Sequence, residues 1–170
     1  MMCIAKAITS GYFPLGVALI NERIATTFES DSSGKAAIGH GYTYSGHPVG
    51  AAAALAAIAE TRRLDVVTNA AARGTQLYDG MVSLAGQYPV VGDVRGGHGL
   101  MTAMELVADQ ETKAPIDGKL AIKMQKAAYQ AGALIRVSGP NVILSPSLVI
   151  GEADIDIALN AVEEGLKAIS

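Results

Sequence analysis

The sequence predicts a mixed α/β chain in two parts, on three observations. Short apolar runs closed by glycine and proline turns, Met1 to Ala5 and Val17 to Ile20, read as strands. An alanine-rich stretch and an amphipathic stretch between Pro48 and Ala85 read as two helices. From Tyr88 onward, short β-branched runs alternate with helical stripes, the pattern of an α+β module of roughly eighty residues.

Composition narrows the function classes. Half of the 170 residues are apolar and 17% are charged, enough to bury a core and unlike a disordered chain. A net charge of −3 leaves no electrostatic footprint for nucleic acid. The most apolar window, Val49 to Ala59, is shorter than the roughly 20 residues a membrane span needs, and no membrane partner is expected. The first residues lack the charged-then-apolar pattern of a secretory signal. The single cysteine, Cys3, has no partner for an internal disulfide, which suits a cytoplasmic setting. Its place in an apolar run predicts a small buried core residue.

In chain order, the first strand leads to Lys6 and a Thr9-Ser10-Gly11 turn that closes on Pro14 and Gly16. Two readings of Lys6 stand side by side. Held against apolar neighbours, its amine is desolvated and becomes a nucleophile towards an aldehyde; at a strand end, it snorkels to water. Residues 21 to 28 suit a short helix, and 29 to 41, rich in Ser, Asp and Gly, a functional loop. Gly41-Tyr42-Thr43-Tyr44-Ser45-Gly46 places hydroxyls and backbone N–H groups just before a helix opened by Pro48. That grouping suits an anion, and equally a structural turn. His40 and His47 lie at no metal-ligand spacing and are expected to stabilise turns, as is His98.

The helix from Pro48 to Leu64 has small side chains nearly all round, which predicts close packing and burial at a join between domains or subunits. A second helix, about Asp65 to Ala85, keeps Val66, Ala70, Leu77, Met81 and Leu84 on one face and reads as a connector. Val90 to Arg95 and Leu100 to Val107 flank a glycine turn as antiparallel strands. Lys119 to Ala131 is a helix stopped by Gly132, and Leu134 to Val137 and Val142 to Leu144 are strands around Ser138-Gly139-Pro140-Asn141. The final helix, from about Glu152 to Ile169, carries the stripe Ile155, Leu159, Val162, Leu166 and Ile169. Arg136 interrupts an apolar strand, where it either holds a carboxylate in a bidentate pair or points to water from an edge.

Three segments in order, Ala5-Lys6-Ala7-Ile8-Thr9-Ser10-Gly11-Tyr12-Phe13-Pro14-Leu15-Gly16, Gly41-Tyr42-Thr43-Tyr44-Ser45-Gly46-His47-Pro48-Val49, and Val94-Arg95-Gly96 with Glu105-Leu106-Val107, resemble the class III aminotransferases. The resemblance implies the C-terminal part of a fold-type I large domain that binds pyridoxal 5'-phosphate (PLP), followed by a small α+β domain. Residues 1–64 would belong to the first, 65–87 to a connecting helix and 88–170 to the second. Lys6 would form the Schiff base with PLP, Tyr42 and Thr43 would hold the phosphate, and Arg136 and Tyr12 would contact substrate. The reaction implied moves an amino group from an ω-amino acid or amine to an α-keto acid such as pyruvate. In the family the Thr serves the neighbouring subunit's cofactor, which implies a homodimer with shared sites. The family's glycine/serine phosphate turn, ring-stacking aromatic and ring-nitrogen Asp belong before Lys6. The sequence is therefore expected to be the C-terminal part of an aminotransferase or, alternatively, a truncated non-catalytic remnant acting in association.

Overall fold

The computed structural model describes residues 1–37 and 39–170. It divides into two compact units, Met1–Leu64 and Asp65–Ser170.

In the first unit, β1 (Met2–Ala5) runs into a 3₁₀ turn, Lys6–Thr9, and pairs antiparallel with β2 (Gly16–Leu19) in the register Met2 to Leu19 and Ala5 to Gly16. Asn21 then caps α1 (Glu22–Glu29), its Oδ1 accepting from the Ile24 N–H at 3.2 Å. The loop expected over 29–41 follows, with position 38 outside the described residues. α2 (Pro48–Arg63) opens on Pro48, whose missing N–H would have had no intrahelical partner. It closes on Arg62 and Arg63, cations that complement the helix dipole.

One sequence expectation fails in this unit, and two other segments lie more open than a core would leave them. Cys3 is exposed, not buried. Lys6 is exposed, in line with the strand-end reading and not with the reading against apolar neighbours. α2 buries only Gly50 and Ala54, and Leu55 is 70% exposed. The cause is common to all three. A two-stranded ribbon and one turn offer a single flank each, and among the described residues of this unit the rest of α2 and β1 has no cover.

The second unit is built differently. α3 (Val66–Ala85), β3 (Val91–Arg95), β4 (Thr102–Leu106), α4 (Gly118–Gln130), β5 (Arg136–Ser138), β6 (Asn141–Leu144) and α5 (Glu152–Lys167) follow in order. The strands form one antiparallel sheet, β3-β4-β6-β5. Alternation along β4 turns Thr102, Met104 and Leu106 inward and Ala103 and Glu105 outward. The helices cover the inner face around Leu77, Met81, Met124, Val142, Ile155 and Leu166, all completely buried. Each such side chain contributes about 1.5–3 kcal/mol relative to exposure. α3, expected as a connector, thus supplies part of this core.

On the outer face the register lines up two rows across the strands: Asp93, Glu105, Asn141 and Ser138, and beside it Arg95, Ala103, Ile143 and Arg136. At the β3–β4 turn, Gly97 and Gly99 take φ of 84° and 94°, conformations that favour glycine. α3 passes so close to this turn that a Cβ on Gly74 would lie 2.3 Å from the Gly99 carbonyl oxygen.

Candidate active site

Lys6 leaves β1 with φ at 55°, an uncommon conformation for a residue bearing a side chain. The turn that holds it there is tied from within. The Ser10 N–H donates to the Ala7 carbonyl at 3.1 Å and the Tyr12 N–H to the Thr9 carbonyl at 3.0 Å. Thr9 is 1% exposed, and its hydroxyl donates to the Phe13 carbonyl at 2.7 Å. The Lys6 amine takes part in no ion pair among the described residues.

Thr43 lies on an exposed turn closed at both ends. The Tyr42 N–H donates to the Ser45 hydroxyl at 3.0 Å, and the Ser45 N–H returns to the Tyr42 carbonyl at 2.8 Å. The N-terminus of α2 is less open to an anion than the sequence suggests. Pro48 has no N–H, and that of Val49 is taken by Nδ1 of His47 at 3.2 Å. Anion-binding capacity at this place therefore lies with the hydroxyls and N–H groups of the 42–46 turn.

Phe13, from the Lys6 turn, lies 5.2 Å from the His47 ring, and Tyr44, from the Thr43 turn, lies 5.7 Å from the same ring. The two turns are thereby joined through one imidazole. His47 was legible in sequence as a turn residue ahead of Pro48; nothing in the sequence signals its two ring partners. Tyr12 is 89% exposed and borders a shallow hollow of about 380 Å³ floored by Ala53, Ala56 and Ala57 of α2.

Arg136 belongs to the second unit, on the edge strand β5. It opens on a cleft of about 430 Å³ whose walls include Leu134, Ile143, Ser145, Pro146 and Ile157, with Asp154 at its border. The other guanidinium of its row is already engaged. Arg95 Nη1 donates to Glu105 at 2.6 Å and Asp93 at 2.8 Å, and its Nη2 to the Asn141 side chain at 2.6 Å. The hydrogen bond it donates to Glu105 is the main cause of its pKa being raised further. Arg136 makes no ion pair among the described residues, so of the two it is the one available to an incoming carboxylate. The loop facing it is held by Asn69, whose amide donates to the Leu148 and Ile150 carbonyls at 2.8 and 3.1 Å.

The profile of the family described as Aminotransferase class-III matches residues 1–166. Over 173 residues the chain is 35% identical to an uncharacterised aminotransferase of Sinorhizobium fredii, covering 99% of this chain and 37% of that one. It is 33% identical to the taurine–pyruvate aminotransferase of Bilophila wadsworthia, with 99% and 39% covered. An amine transaminase from an uncultivated Pseudomonas species, solved in its PLP-bound form, superposes with a TM-score of 0.91 at 40% identity, over 99% of this chain and 38% of the other. The chain spans little more than a third of the length of the relatives it matches. The α/β fold is that of fold-type I transaminases, and by its profile over 166 residues the chain belongs to the class III aminotransferase family.

Proposed function

We propose that this chain carries part of the active site of a PLP-dependent aminotransferase that moves an amino group from an ω-amino acid or amine to an α-keto acid such as pyruvate. The observation that carries the reading is Lys6: an exposed amine, outside any ion pair among the described residues, presented from a left-handed backbone position that the buried Thr9 locks in place. A ligand bearing an aldehyde and a phosphate needs an amine for the first and hydroxyl or N–H donors for the second. Lys6 and the Tyr42–Thr43 turn have those chemistries, so the donor set fits.

When bound, PLP supplies an electron sink for charge developing on the amino-bearing carbon. The Lys6 amine would hold the cofactor through its aldehyde, and its Nζ would accept the proton released from that carbon and later return one. The Thr43 hydroxyl and the Tyr42 and Thr43 backbone hold the phosphate. The Arg136 guanidinium pairs with a substrate carboxylate, its cleft walls excluding water from the pair, and Tyr12 contacts the substrate. Residues 1–64 act as part of the cofactor domain, 65–87 as the connecting helix and 88–170 as the small domain. The working unit is a homodimer in which Thr43 serves the other protomer's cofactor, in a cytoplasmic setting. No described helix is long and apolar enough to cross a membrane.

The test is to add PLP to the purified protein, reduce with borohydride and map the pyridoxyl adduct by peptide mass spectrometry. One stoichiometric adduct on Lys6, absent in Lys6→Ala, is the expected result. A scatter over surface lysines, or no adduct, would favour the second reading, a non-catalytic module acting in association, which the uncovered face of α2 suits.

A further inference from the structure

We infer that His47 is a positioning residue whose ring fixes the Lys6 turn and the Thr43 turn as one body; the inference rests on the cofactor roles proposed above for those two turns. The Lys6 backbone and, four residues on, the Ser10 backbone both have positive φ, at 55° and 49°. Such conformations persist only where the surroundings over-determine them. The internal hydrogen bonds of the turn fix its shape but not its place. Its place is fixed by Phe13, which packs on α2 where there is no side chain: a Cβ on Gly50 would come within 2.9 Å of the Phe13 ring. His47 closes the arrangement from the other side.

Three roles meet in this one residue. Its ring lies 5.2 Å from Phe13 and 5.7 Å from Tyr44, at interplanar angles of 34° and 39°, within the range of favourable aromatic pairs. Its Nδ1 accepts from the Val49 N–H, so the ring cannot turn without uncapping α2. Its carbonyl accepts from the Ala51 N–H at 3.1 Å, which sets the first turn of α2 and hence the position of Gly50. The amine-bearing turn and the hydroxyl-bearing turn, more than thirty residues apart in sequence, are therefore held together through side chains that touch neither amine nor hydroxyl.

Two substitutions separate the ring from the cap. His47→Phe keeps an aromatic ring and loses the acceptor; His47→Asn keeps a helix-capping acceptor and loses the ring. Backbone amide hydrogen exchange, read without any cofactor, is expected to speed up about tenfold in both 6–13 and 42–46 for His47→Asn, the equivalent of one aromatic pair. His47→Phe is expected to keep both segments near the wild-type rate while loosening only the first turn of α2. Trapping of PLP on Lys6 should follow the same order, with His47→Asn slower than His47→Phe. If the order is reversed, if both variants loosen both segments equally, or if neither changes them, the positioning role of the ring is overturned. If the wild type fails to trap PLP on Lys6, the cofactor reading falls, while the exchange data still decide whether His47 unites the two turns.

Discussion

A carboxylate that organises a loop by itself leaves a signature in its own titration, and Asp31 does so. Its side chain accepts from the Ser33 N–H at 3.0 Å, the Ser33 hydroxyl and the Ala36 N–H at 2.6 Å each, in a stretch otherwise poor in apolar anchors. These bonds, the Ser33 hydroxyl first, bring its pKa from 3.8 down to about 2. A carboxylate with a folded-state pKa below its unfolded value contributes its full stabilisation above the unfolded value and loses it as pH falls through the folded one. The 31–36 loop is therefore expected to hold above pH 4 and to open between pH 4 and 2, with amide protection at Ser33 and Ala36 lost relative to the intrinsic rate at each pH, and Asp31→Asn should weaken it at neutral pH. At this scale the sequence shows which residues carry chemistry but not how they are held. Lys6, Thr43 and Arg136 stand out by type and motif. The left-handed backbone of Lys6, the pairing of Arg95 that leaves Arg136 available, and the ring contacts of His47 come from tertiary packing, which no local pattern encodes.

Among the elements, α3 and the β3–β4 turn show how close approach depends on a missing side chain. With the Gly99 carbonyl 2.3 Å from where a Gly74 Cβ would stand, the backbone itself would have to move. Gly74→Ala is expected to destabilise the second unit by about 1–3 kcal/mol, the usual cost of overpacking. A lowered unfolding midpoint in denaturant, with the slope unchanged, is the measurement that checks it. The helices and antiparallel pairs of this unit were legible in sequence because their apolar periodicity is strong. Of the stripe along the last helix, Ile155, Val162 and Leu166 are completely buried and Leu159 and Ile169 partly so, and Gly132, with φ at 106°, stops α4 where the sequence places it. Strand ends were less so: pairing starts at Thr102 and Arg136, two residues later than the apolar runs begin. α2 buries only Gly50 and Ala54 within this chain, and what would cover the rest is not legible in its sequence. An all-alanine surface is compatible with close packing but does not specify what packs against it.

Taken whole, the molecule distributes its stability unevenly. The second unit closes a core of eighteen buried apolar residues, while the first buries few of its own. Native-state hydrogen exchange on the intact chain should find its slowest amides at Met104, Leu106 and Val142, and lose protection in 1–64 at lower denaturant. Equal protection in the two units would contradict that ranking. The outer face of the second unit's sheet has a further consequence. On the β3–β4 side, Asp93 and Glu105 are matched by Arg95 and by Lys113, which lines the same hollow, and Arg136 stands at the opposite edge. Three strand spacings, about 14 Å, separate β3 from β5. The two guanidiniums of one row thus differ in what they can still do: Arg95 is spent on its own sheet, while Arg136, at the far edge, has no ion pair among the described residues, and added salt weakens what either can attract.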